Sequence, residues 1–183
     1  MAAKTLLTVA DYAALEEPAG LRYELNEGEL IVARSADFFH NTKRDRINAR
    51  MAVFLEKLDL GKVVSEMDVQ LLGQTVRRAD VAFFLAEKLK SVNLEAVPVL
   101  VAPDLVVEIV SKNDRADDLN LKVSQYLAAG VKAVWLVYPI TRLAYRYLPG
   151  KLEPEVRSAD AGHVFDEPEL LPGFALSLKE ILA

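Results

Sequence analysis

Cysteine is absent from this 183-residue chain, histidine occurs twice and tryptophan once. Without thiols there can be no disulfide framework, no thiolate zinc site and no cysteine nucleophile, so any metal must be held mainly by oxygen or histidine. Glycine and proline are sparse, eight of each, which leaves little room for linkers. Long apolar runs are missing too: nothing approaches the ~18 residues that a bilayer-crossing helix needs. The first residues carry Lys4 and reach Asp11 after a short apolar stretch, too short and too soon charged for a signal peptide. These absences lead to the expectation of a soluble, cytoplasmic protein with no membrane partner. Positive charge is in deficit, with 22 Lys and Arg against 27 Asp and Glu, a net charge of -5. That balance argues against indiscriminate coating of nucleic acid. Phosphate would be met only by local clusters, Lys43, Arg44, Arg46 and Arg50 or Arg77 and Arg78, and each cluster alone reads as a solvated helix face or a charged turn.

What is present is a globular composition, 52% hydrophobic and 27% charged, in a length that suits one domain over residues 1–183. Thr8 ahead of Asp11 marks a short capped helix that ends near Pro18 and Gly20. Residues 22–25 and 29–32 flank Asn26-Glu27-Gly28, a tight-hairpin signal. Ile47, Met51, Phe54, Leu55 and Leu58 keep helical spacing, so residues 39–58 form the longest helix, closed by Gly61. Residues 63–72 and 76–85 are rich in β-formers and form a second hairpin around Gly73-Gln74-Thr75, while 86–98 is irregular or weakly helical. A strand at 104–111 leads into a helix at 116–129, capped by Asp114 and Asp117 at its start and by Gly130 at its end. Strands at 132–138 and 143–148 follow, and Ser177 starts a last short helix. Joined through a helix, the strands at 104–111 and 132–138 should be parallel neighbours with a right-handed crossover, and the hairpins should add antiparallel partners. The expected class is α/β, a mixed β-sheet flanked by helices.

One residue breaks the pattern. Glu108 sits inside Pro103-Asp104-Leu105-Val106-Val107-Glu108-Ile109-Val110-Ser111, a run otherwise built like a strand buried on both faces. A carboxylate there is costly unless it is paired, protonated or bound to a cation. A second acid, Asp80, lies within the apolar run Ala79-Asp80-Val81-Ala82-Phe83-Phe84. On the following helix Leu119, Val123, Tyr126 and Leu127 form the stripe that faces the sheet, and Lys122 falls within it. A buried Glu108–Lys122 ion pair would explain the pattern without chemistry. Two acids and a lysine would also suffice for a metal-dependent phosphodiesterase, since Mg²⁺ or Mn²⁺ needs only one or two carboxylates besides water and phosphate.

The segments Tyr23-Glu24-Leu25-Asn26-Glu27-Gly28-Glu29-Leu30, Arg78-Ala79-Asp80-Val81-Ala82-Phe83 and Pro103 through Ser111, with Lys122, Tyr126-Leu127-Ala128-Ala129-Gly130-Val131 and Trp135-Leu136-Val137, resemble a bacterial restriction-endonuclease-like family abundant in cyanobacteria, within the PD-(D/E)XK nuclease superfamily. The resemblance runs nearly the whole chain, in order. It implies a restriction-endonuclease-like sheet, hydrolysis of DNA phosphodiesters, Asp80 and Glu108 as metal-binding acids, Glu24 as an additional acid, and Lys122 as the catalytic lysine. Two positions depart from the superfamily pattern: Ala79 stands where a proline is usual, and Val110 where the lysine two residues after Glu108 is expected. Lys122 fits a lysine moved to the next helix, with Lys112 as the fallback. Gln70 on the neighbouring strand and His40 at the start of the long helix are secondary candidates for substrate contact, each with an ordinary strand or helix-start role as the alternative; His163 is given none. A homodimer is expected by analogy with endonucleases that cut both strands, with the strand at 143–148 and its tyrosines as a contact surface. A non-catalytic domain that binds nucleic acid or a protein, and a hydrolase of another phosphate ester, are the alternatives.

Overall fold

The computed structural model describes residues 6–90, 92–93 and 95–183; Lys4 and Thr5, and residues 91 and 94 of the segment expected to be irregular, lie outside them. Thr8 caps α1 (Val9–Ala13) in a reciprocal box with Asp11. The hairpin of β1 (Leu21–Asn26) and β2 (Glu29–Arg34) turns on Glu27 and Gly28, both at positive φ, 50° and 86°. That is the conformation a two-residue turn needs to match strand twist. Asp37 caps α2 (Phe38–Leu55) by accepting from the His40 amide at 2.9 Å. The helix stops at Leu55 rather than at residue 58, and Gly61 does not close it but opens β3 (Gly61–Gln70). β4 (Val76–Leu85) runs antiparallel to β3 and is followed by the single turn α3 (Ala86–Leu89). β5 (Leu105–Ile109), α4 (Ala116–Ala128) and β6 (Ala133–Tyr138) form the expected parallel crossover unit. Asp114 does not cap α4: its carboxylate accepts from the Ser111 amide at 2.8 Å, and the capping position is Arg115. β7 (Leu143–Tyr147) and β8 (Glu155–Ser158) extend the sheet, and β9 (Val164–Asp166), β10 (Ala175–Ser177) and α5 (Leu178–Ile181) complete the chain. β8, β9 and β10 are short, and none was expected from the sequence.

Seven strands run in the order β2-β1-β4-β5-β6-β7-β8, with β3 on the other edge of β4. The sheet is mixed, as expected. β7 is paired by β6 and β8, so its backbone is not a free edge, and a contact at 143–148 would be made by side chains. Helices cover both faces. On one, Ile47, Met51 and Leu55 of α2 and Leu178 and Ile181 of α5 pack with Phe83, Leu105, Val107 and Trp135. On the other, Leu119, Val123 and Tyr126 of α4 pack with Ala82, Phe84, Val106, Val134 and Leu136. Each such side chain contributes roughly 1.5–3 kcal/mol by leaving water. Strand alternation puts Leu105, Val107 and Ile109 toward α2, which leaves Glu108 beside Val106 on the face that α4 covers.

The sheet contains a fork. β3 occupies one edge of β4 along its length, so β1 and β5 must share the other. They meet it at opposite ends, β1 through Leu25 opposite Val76 and β5 from Val107 opposite Val81. Between those two points lie residues 77–80.

Candidate active site

Acidic side chains close the fork. Glu24, from β1, accepts the Arg78 amide through Oε1 at 3.1 Å, and Asp80, from β4, accepts the Ile109 amide through Oδ2 at 2.7 Å. Buried amides that strand pairing cannot reach are thereby satisfied. The backbone geometry fixes both carboxylates at the parting of the strands.

Glu108 faces the same place from β5. Its Oε1 accepts from the Tyr126 hydroxyl at 2.8 Å and lies 3.7 Å from Lys122 Nζ. Lys122 is nearer to Glu24, at 2.8 Å from Oε1, while Glu24 Oε2 takes Arg77 at 2.9 Å. Arg77 is held in turn by Gln125 of α4, which also donates to Asn26. Burial of Glu108, with the charges of Asp80 and Glu24 added, pushes its carboxyl up to about 7 against the pull of Lys122. Burial would likewise raise Glu24, but Lys122 and Arg77 outweigh it and leave that carboxyl below its usual value. For Lys122 burial favours the neutral amine, and the two glutamates reverse this and hold the ammonium. The site therefore contains one well-neutralised acid, Glu24, and one under-neutralised acid, Glu108.

Asp80 is approached from the other side by α2. His40 Nε2 stands 3.1 Å from Asp80 Oδ2, and Arg22 reaches Oδ1 at 3.8 Å. Burial would lower the imidazole's proton affinity, yet the hydrogen bond and charge of Asp80 raise it above the ordinary value. His40 Nδ1 is buried without a hydrogen-bond partner among the described residues. Arg22 is shared with Glu66, which also binds Arg44.

All four residues expected at the site, Glu24, Asp80, Glu108 and Lys122, line one cleft of about 680 Å³, together with Arg22 and His40. A separate depression of about 660 Å³ between the β3–β4 turn and α4, lined by Leu71, Leu72, Leu121 and Ala128, holds none of them. Among the described residues no three His, Asp or Glu side chains stand together as an ion-holding group. The donor set that fits a hard cation is therefore a pair: among the described residues Glu108 makes no hydrogen bond through Oε2, and Asp80 Oδ1 has only Arg22 at 3.8 Å. A pair is enough for Mg²⁺, which keeps most of its water and adds substrate phosphate. Glu24, expected as a third metal acid, has both oxygens engaged by Lys122, Arg77 and the Arg78 amide.

The secondary candidates divide. Gln70 donates to the Gly73 carbonyl and shapes the hairpin turn, and His163 accepts from the Ser158 amide far along the chain. Lys112 is exposed at the rim of the cleft. His40, a secondary candidate in sequence, is in the site. Tyr126 and Arg22 were not expected there, though each had a legible signal: Tyr126 follows Lys122 by one helical turn, and Arg22 shares a strand face with Glu24.

A forked mixed sheet covered by helices is the architecture of the restriction-endonuclease-like class of α/β proteins, and in this chain two buried acids and a lysine lie at its parting. The same architecture is found in the crystal structure of a putative nuclease belonging to DUF820 from Anabaena variabilis, which superposes with a TM-score of 0.84 over 96% of this chain and 97% of that one at 19% identity. The chain belongs to the Uma2 family, described as "Putative restriction endonuclease", whose model matches residues 9–179. No curated protein matches it significantly.

Proposed function

We propose that this chain is a nuclease that hydrolyses DNA phosphodiester bonds with Mg²⁺ or Mn²⁺ held by Asp80 and Glu108. The observation that carries this reading is the imbalance at Glu108: a buried acid beside two others, with an oxygen left over and a proton affinity raised to about 7. A cation relieves that imbalance, whereas a purely structural acid is surrounded by enough donors to need none. When bound, the ion would lower the pKa of a coordinated water and neutralise charge building on the phosphoryl oxygens.

The protein's own groups supply the rest. Lys122 remains an ammonium at neutral pH, anchored by Glu24 at 2.8 Å, and its remaining N–H bonds can orient the attacking water or meet a non-bridging oxygen. Glu24 fixes the lysine, and Arg77, itself held by Gln125, fixes Glu24. His40 and the Ile109 amide hold Asp80 Oδ2, which leaves Oδ1 toward the cleft. A homodimer belongs to the same proposal and is checked by sedimentation.

A second reading rests on the same hydrogen bonds. Because Glu24 and Asp80 satisfy amides at the fork, the acids could serve the fold alone in a protein that binds nucleic acid or a protein without cutting. Incubation with supercoiled plasmid and Mg²⁺ or Mn²⁺ separates the two. Nicking or linearisation that falls at least about 100-fold in each of Asp80→Ala, Glu108→Ala and Lys122→Ala supports the nuclease, a size typical of lost charge stabilisation. A divalent ion should also raise the melting temperature of the wild type but not of the two acid variants. Intact plasmid, together with no cation-dependent thermal shift, would sink the proposal, and cleavage of a small phosphodiester alone would move the substrate class.

A further inference from the structure

Lys43 apart, the basic clusters legible in the sequence do not supply a nucleic-acid surface. Arg44 pairs with Glu66 and Asp45, Arg46 donates to three carbonyls near the chain end, Arg50 pairs with Glu180, Arg77 with Glu24, and Arg78 with Glu17 and Asp68. Among the described residues, the cations left without a carboxylate partner near the cleft are Lys43 and two from outside the clusters. Arg34, at the end of β2, and Lys112, just after β5, both line the cleft and make no ion pair among the described residues. Among the described residues Lys43, one turn into α2, meets the Phe39 carbonyl, at 3.2 Å, and the Phe39 ring, at 5.7 Å, and no acid.

Two aromatics stand among these charges. Phe38 and Phe39 occupy the first turn of α2, between the cleft residues Asp37 and His40, and are 74% and 70% exposed. Their rings meet edge to face with centroids 5.7 Å apart. Exposing two adjacent phenylalanines forgoes the burial that stabilises every other phenylalanine of this fold, and the core on the α2 face is complete without them. Aromatic side chains beside unpaired cations suit one ligand chemistry well: flat bases that stack, joined by phosphates that pair. A base inside a duplex is already stacked and cannot use such a platform.

We infer that the cleft takes a single-stranded or locally unpaired nucleic-acid segment, with bases stacked on Phe38 and Phe39 and the flanking phosphates on Arg34, Lys43 and Lys112. This rests on the nuclease reading of the cleft, whose substrate it specifies. The aromatic pair selects unpaired bases, and the rim cations hold the backbone whatever the sequence.

The test uses the Glu108→Gln protein, expected to keep the cleft without turning over, with an oligonucleotide carrying 2-aminopurine, single-stranded or annealed to its complement. Binding of the single strand should quench the fluorophore by stacking and be at least about 10-fold tighter than binding of the duplex. In Phe38→Ala/Phe39→Ala the ratio of single-strand to duplex affinity should fall toward one. In Arg34→Ala/Lys112→Ala both affinities should drop and the slope of log affinity against log salt should become shallower by about 1–2. Equal affinity for the two forms, or a ratio unmoved by loss of the phenylalanines, overturns the inference, as does a concentration-dependent dimer that dissociates when they are removed. If plasmid cleavage still depends on Asp80 and Glu108, such a result leaves the nuclease reading standing; if it does not, both fail.

Discussion

Glu108 and Glu167 are both buried acids, and their donors distinguish them. Glu167 accepts from the Trp135 indole and from two nitrogens of Arg146, at 2.8 and 2.7 Å, and its charge is met within the fold. Glu108 has one phenol and an ammonium 3.7 Å away, with two further acids nearby. Its carboxyl rises from 4.5 to about 7 on folding. A raised acid contributes stability in full below its unfolded value and loses it as pH climbs through its folded value, so wild-type stability should decline between about pH 4.5 and 7.5 on this account. Glu108→Gln keeps an acceptor for Tyr126 and has nothing to ionise. In the absence of divalent ions it should melt close to the wild type at pH 5 and several degrees higher at pH 8.5, reflecting roughly 2–3 kcal/mol of linkage. Thermal unfolding at both pH values checks this, and a difference that is the same at both pH values would contradict it. Tyr126→Phe, which removes one donor from Glu108, should steepen the wild-type decline. The sequence showed the odd acid and the odd lysine because each interrupts an apolar pattern locally. It could not show His40 or Arg22 against Asp80, since those contacts join residues 40 and 58 positions apart and depend on where α2 and β1 dock.

At the scale of elements, the strands with strong β composition and the helix with a clean apolar stripe were read nearly to their ends, β4 and the β5-α4-β6 unit above all. Where the reading failed, tertiary structure decided. Helix α2 stops at Leu55 because the chain must turn back to enter the sheet, and Gly61, read as a helix terminator, is a point of close backbone approach. A Cβ at Gly61 would lie 2.0 Å from the Phe84 carbonyl oxygen, in a residue with φ of 152°. Gly61→Ala must therefore push β3 away from β4 at the start of their pairing. Gly73, in the turn at the other end of the same hairpin, has a φ of 59° but nothing within 4 Å of an added Cβ. Gly61→Ala should cost more than about 2 kcal/mol and Gly73→Ala about 1 kcal/mol, by the ordinary penalties for steric displacement and for a left-handed backbone. Urea unfolding of the two variants gives the comparison, and a reversed order would show that β3 can move freely. The short strands β8 to β10 escaped the sequence because each is three or four residues long and takes its partner from tertiary packing rather than from its own pattern.

For the molecule as a whole, the question raised by a net charge of -5 is how it meets a polyanion. Most cations that look available in the sequence are internal struts. Arg46 is the clearest case: from the middle of α2 it donates to the carbonyls of Glu180, Ile181 and Ala183 and so fastens α5, whose Leu178 and Ile181 are fully buried against the core. Helix carbonyls near a C-terminus lack intrahelical donors, and a guanidinium there satisfies several at once. Arg34, by contrast, contacts no acid among the described residues and stands at the cleft. The two arginines should behave oppositely when removed. Arg46→Ala should destabilise the fold by about 1–3 kcal/mol, the cost of leaving partly buried carbonyls without a donor and α5 unfastened, and should speed amide exchange around α5. Its affinity for an oligonucleotide, measured well below its melting temperature, should stay within about 2-fold of the starting protein, because one rim phosphate contact is neither gained nor lost. Arg34→Ala should melt within about 0.5 kcal/mol of the wild type, as surface changes do, and bind the same oligonucleotide several-fold more weakly at low salt. If instead Arg46→Ala weakened binding while leaving stability untouched, the basic cluster on α2 would be the contact surface, and the cleft would lose its claim to the substrate.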